Sequence, residues 1–77
     1  MSDYILDIKN SIEGWIDENK IKGVISIQVN EMKGVYYATV KHLSPGTIIG
    51  NGGSRIKELC KRLHADTGIK VKVQVNK

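Results

Sequence analysis

Apolar residues recur at three- and four-residue steps through residues 2–19, at Ile5, Ile8, Ile12, Trp15 and Ile16. That spacing predicts an amphipathic helix with this stripe turned to a core and Trp15 as its anchor on a sheet. Ser2 or Asp3 is placed to cap its start, because a short side-chain oxygen satisfies an unpaired N–H there. Gly14 costs the helix interior about 1 kcal/mol. The rest of the segment is acidic (Asp3, Asp7, Glu13, Asp17 and Glu18 against Lys9), so a structural role is expected of it.

The period then changes to two. Ile25, Ile27 and Val29 alternate with Ser26, Gln28 and Asn30 over residues 24–30, which predicts a half-buried strand. Tyr36, Ala38 and Val40 alternate with Tyr37, Thr39 and Lys41 over 35–42. The turn Glu31-Met32-Lys33-Gly34 joins the two as a β-hairpin. Ser44-Pro45-Gly46 reads as a turn or helix start, and the run Thr47-Ile48-Ile49 breaks at Gly50-Asn51-Gly52-Gly53. From Ser54 a second helix carries Ile56, Leu59, Cys60 and Leu63 on one side, and Thr67-Gly68 ends it. Residues 69–75 alternate again, with Ile69, Val71, Val73 and Val75 inward and Lys70, Lys72 and Gln74 outward. The order predicts an α/β chain of the α+β two-layer kind, in which helices separate the second and third strands and the three-stranded sheet is mixed.

Length and composition narrow what such a fold can do. Seventy-seven residues make one domain, expected to span 1–77, too small for a dinucleotide-binding fold or a two-domain enzyme. A single cysteine excludes a disulfide framework and a multi-cysteine metal cluster. No apolar run reaches the length of a membrane span or a signal-peptide core, so the expected compartment is the cytoplasm, with no membrane partner. The net charge of +4 is unevenly placed. Residues 1–38 hold four lysines against six acids, and residues 39–77 hold eight lysines and arginines against two acids. That division points to one face made for a polyanion, or to a solvated basic helix.

The glycine cluster lies in the basic half. It fails as a P-loop, because Gly53 is followed by Ser54-Arg55 and not by Lys-Ser/Thr. It fails as a dinucleotide fingerprint, because the third glycine position falls on Arg55. What remains is a G-x-x-G turn between two helices, with Arg55, Lys57, Lys61 and Arg62 following at once. Such a turn lets backbone N–H groups and the positive end of a helix approach a phosphate. No part of it breaks or makes a bond.

The stretch Ile49-Gly50-Asn51-Gly52-Gly53 with Ile56 resembles the I-G-x-x-G-x-x-I mark of KH domains. With helix and hairpin ahead of the motif, the order resembles the type II arrangement. The likeness is greatest to the KH domain of the third protein of the small ribosomal subunit, where Pro45-Gly46, Ile49-Gly50, Gly52-Gly53 and Thr67-Gly68 fit without a gap. That protein carries a further C-terminal domain, so this chain is expected to be either an excised domain or a free-standing one. The resemblance implies non-catalytic binding of single-stranded RNA or DNA, ribosomal RNA included, by a monomer without cofactor or metal. The residues it implies are Ile48, Ile49 and Ile56 beneath the bases, Gly50, Asn51, Gly52, Gly53 and Ser54 on the backbone, and Arg55, Lys57 and Lys61 for charge. Lys41 and Lys33, on the sheet edge and hairpin, form the opposite wall. Such loops usually carry Lys or Arg where Asn51 and Gly52 stand. The alternative is therefore a protein-interaction scaffold whose nucleic-acid groove is weak or unused.

The other reactive side chains read as structural. Cys60 falls on the apolar stripe and is expected to be buried and inert. His42 and His64 are far apart in sequence, with no metal-ligand spacing around them. Tyr37 reads as an exposed strand residue, with stacking on a base as the functional alternative.

Overall fold

The computed structural model describes residues 4–76. The expected cap at Ser2 or Asp3 lies outside them. The elements are α1 (Tyr4–Glu18), β1 (Val24–Met32), β2 (Val35–His42), α2 (Pro45–Ile49), one 3-10 turn (Asn51–Gly53), α3 (Ser54–Thr67) and β3 (Val71–Val75). The strand order is β1-β2-β3, with β1 antiparallel and β3 parallel to β2, so the sheet is mixed as the element order requires. The three helices cover one face. Ile8, Ile12 and Trp15 of α1, Ile48 of α2, and Leu59 and Leu63 of α3 close on Ala38, Val40 and Val71 of the sheet. No helix among the described residues is long and apolar enough to cross a membrane.

Two apolar positions depart from the simple periods. Ile5 lies outside the core at the start of α1. Ile25 was expected inward and is 62% exposed. The cause is a bulge: Val24 pairs with His42 but Ser26 pairs with Lys41, so Ile25 is the extra residue on β1. The inserted residue shifts the alternation, and Val24 joins Ile27 and Val29 on the packed side. The hairpin itself is tighter than the sequence suggests. Met32 pairs with Val35 across a two-residue turn, Lys33-Gly34, with both φ angles positive.

The last turn of α1 survives Gly14 because its end is closed in two ways. Asn19 donates its side-chain amide to the carbonyl of Trp15 at 2.8 Å. Lys20 N–H then donates to Asp17 and Ile21 N–H to Ile16, the paired bonds of a Schellman ending, with buried Ile21 packed beside Ile16. This puts Lys20 at φ 53°, where a side chain is strained. Lys20→Gly is therefore expected to raise stability by about 0.5–1 kcal/mol, read as a higher urea midpoint at unchanged slope.

His42 ties the corner between β2 and α2, a role that no local pattern announces. It is buried. Its Nδ1 accepts the Ser44 N–H at 2.8 Å, and its Nε2–H donates to the carbonyl of Lys22. The Asn76 side chain meets the His42 backbone from both sides, accepting its N–H at 2.7 Å and donating to its carbonyl at 2.9 Å. The ring also lies against the Gly23 backbone. The start of β1, the end of β2 and the end of β3 are thus locked where the chain turns into α2 and the glycine loop.

Candidate nucleic-acid interface

The loop is built by short hydrogen bonds that use up some of its donors. Gly50 N–H donates to Gly46, Gly53 N–H to Gly50, and Ser54 N–H to Asn51. Among the described residues this leaves the N–H groups of Asn51 and Gly52 at the tip, both residues being exposed. Gly50 has φ 76° and ψ 177°, a conformation open in practice only to glycine. A Cβ there would lie 2.8 Å from the backbone nitrogen of Arg55 and 2.9 Å from Ser54 Oγ. The first turn of α3 therefore folds directly over Gly50. Arg55 completes the join, since its guanidinium donates to the carbonyl of Thr47 at 2.8 Å, tying α3 back to α2.

Helix α3 sorts its side chains into three stripes. Leu59 and Leu63 enter the core. Glu58, Arg62 and Asp66, at four-residue steps, turn toward α1. Glu58 accepts the Trp15 indole N–H at 3.2 Å, and Asp66 accepts the Ser11 hydroxyl at 2.6 Å. Arg62 donates to Glu18 at 2.8 and 2.7 Å, and to Asp66 at 2.9 Å. These bonds set the ionisation of the group. The Ser11 hydroxyl and then Arg62 hold Asp66 below its usual value, and Arg62 does the same for Glu18. The two carboxylates in turn raise Arg62, Glu18 first. Arg62 also passes over Gly14, where a Cβ would meet its guanidinium at 3.8 Å, an ordinary contact. The third stripe is Lys57, Lys61 and His64, all exposed. Both acids of residues 39–77 are thus bonded to α1 residues, and this stripe carries no carboxylate.

The KH domain family matches residues 7–77. The chain belongs to it. No curated protein matches at a significant level. Within the KH fold the order α-β-β-α-α-β and the mixed sheet are those of the type II arrangement.

The KH framework redistributes several of the expected site residues. Gly50, Asn51, Gly52, Gly53 and Ser54 do form one turn, with Ile49 and Ile56 partly accessible beside it and Lys57 and Lys61 along the same helix. Ile48 does not join them. It is 0% exposed, a core residue that cannot touch a base, because the single turn of α2 aims it at the sheet and leaves Ile49 outside. Arg62 belongs to the α1 contact, and Arg55 is partly committed to Thr47. Lys41 sits on the sheet face away from the helices, since its neighbours Val40 and His42 point into the core. Lys33 is at the hairpin tip. The edge strand beside α3 is β3, with Lys70 before it, while Lys72, between inward Val71 and Val73, lies with Tyr37 on the sheet face away from the helices. Lys72 holds its ammonium 5.9 Å from the centre of the Tyr37 ring. Cys60 is only half-buried and lines the groove between α3 and β3, and desolvation raises its thiol pKa.

Proposed function

We propose that this KH domain binds single-stranded RNA or DNA without catalysis. The N–H groups of Asn51 and Gly52 and the start of α3 hold the phosphates. Ile49 and Ile56 lie under the bases, and Lys57 and Lys61 supply attraction. The observation that carries this reading is the pairing of an exposed G-x-x-G tip with a helix stripe free of acids. The ribosomal likeness of the loop and its flanks makes ribosomal RNA one target to try.

The test is an NMR titration with random-sequence single-stranded RNA and, separately, DNA. Amide shifts are expected at 49–57, and the binding constant should fall with salt at a log–log slope of roughly −2 to −3, as for three or four neutralised phosphates. Shifts confined to α1, or binding that ignores salt, would instead favour a scaffold that recognises a protein.

A further inference from the structure

Strand β1 is an edge of the sheet, and among the described residues its outer side pairs with no strand. An open edge is a template for another strand, and proteins usually block it with lysine, proline or a bulge. The opposite edge, β3, carries Lys72. Over its nine residues β1 has neither lysine nor proline, and its bulge lies near the start, at Ile25, so the pairing is regular over 26–32. Its one charge is Glu31, near the other end.

Helix α1 flanks that edge. It packs over β1 and against α3, and it runs opposite to β1. Its start is near the hairpin, where Tyr4 meets the Tyr36 ring at 5.9 Å, and its end leads into Val24. At about 100° per residue, the side chains bonded to α3 (Ser11, Trp15 and Glu18) lie to one side of the helix's core stripe. Leu6, Lys9, Glu13 and Ile16 lie to the other, toward the open edge. Leu6, Lys9 and Glu13 are exposed. Neither Lys9 nor Glu13 makes an ion pair among the described residues.

Both features are self-complementary about a single twofold axis. Set at Gln28, the middle of β1, the axis pairs two copies of the strand antiparallel. Gln28 then faces its own copy, Ser26 faces Asn30, and Ile27 faces Val29 on the packed side. Glu31 falls opposite Ile25, so no like charges meet. Ser11, the middle of α1, lies level with Gln28, because the two elements run side by side in opposite directions. The same axis therefore sets Lys9 against Glu13 of the second copy and Leu6 against Ile16, each twice. We infer that two copies of this chain join along the β1 edge and this flank of α1, forming a dimer with one continuous six-stranded sheet. It stands in place of the monomer that the family likeness implies, and it rests on the fold alone. Neither α3 nor the glycine loop touches β1, so both loops stay open in the dimer.

The experiment is sedimentation equilibrium from micromolar to submillimolar concentration, where the mass is expected to rise to twice the 8.6 kDa of one chain. Gln28→Lys and Gln28→Glu each set like charges face to face at the axis. Either alone is expected to weaken the dimer about fivefold or more, and an equal mixture of the two to restore it as a heterodimer. Glu13→Lys is expected to weaken it about tenfold, and Lys9→Glu added to Glu13→Lys to restore it, because the exchange rebuilds both ion pairs. All three positions are exposed, and circular dichroism confirms that each variant folds. A monomer throughout the range would overturn the proposal. So would a dimer that these substitutions do not weaken, or one that the mixture and the charge exchange fail to restore. No nucleic acid enters the measurement, so its outcome is separate from that of the loop clamp.

Discussion

Gly50→Ala is expected to lower the stability of the domain by about 3 kcal/mol or more, and Gly52→Ala by only about 1 kcal/mol. The two glycines are two residues apart, yet they answer to different constraints. At Gly50 the backbone occupies φ 76° and ψ 177°, a region whose occupation by a side chain costs about 1–3 kcal/mol. The added methyl would also press against a backbone atom, Arg55 N at 2.8 Å, and not against a flexible side-chain end. Relief requires α3 to lift from the loop, which would break the Arg55–Thr47 bond as well. Gly52 has φ 62° and ψ 21°, the ordinary left-handed well, and a Cβ there meets nothing within 4 Å. For a domain of this size, 3 kcal/mol is a large part of a total of roughly 4–12 kcal/mol. Urea unfolding checks both variants, with midpoints displaced to very different extents at a common slope. Equal costs at the two positions would mean that the loop does not pack as described.

That contrast also marks where reading the sequence succeeds and where it stops. Regular alternation and three-four spacing report burial directly. The helices, the hairpin and the third strand were therefore legible, and the parallel placement of β3 followed from the intervening helices. The glycine loop was legible as well, because so few backbone conformations allow a G-x-x-G turn between helices. Most of the misses depend on partners distant in the chain. Ile25 faces outward because of a bulge, and a bulge leaves no mark in composition. Ile48 and Ile49 sit in a five-residue helix, too short for a period to say which one turns inward. Arg62 and Lys61 are adjacent cations, but one of the two acids that claim Arg62, Glu18, is 44 residues away. The four-residue spacing of Glu58, Arg62 and Asp66 was a usable signal, since it separates one mixed-charge stripe from one purely basic stripe on the same helix. His42 gave no such hint, because its partners Lys22 and Asn76 lie 20 and 34 residues away.

The strongest effect on binding with the fold kept is expected from Asn51→Asp combined with Gly52→Asp. Both residues are at the exposed tip, and their N–H groups are the ones the loop's own hydrogen bonds leave over. The position of Gly52 has open space for a side chain, and aspartate is among the residues that tolerate the left-handed well. The domain should therefore stay folded, with unchanged circular dichroism. A carboxylate about 4 Å from a phosphate costs about 1 kcal/mol even in bulk water and more where solvent is displaced. Two of them should weaken single-stranded nucleic acid by roughly 30-fold or more. Asn51→Lys tests the same geometry in the opposite sense: it restores a cation at the tip, tightens binding, and steepens the salt slope by about 0.7 for one added phosphate contact. Anisotropy titrations at several salt concentrations read both. An affinity unchanged by the aspartates and by the lysine would remove the loop from the interface and leave the basic stripe of α3 as the only candidate for holding the strand.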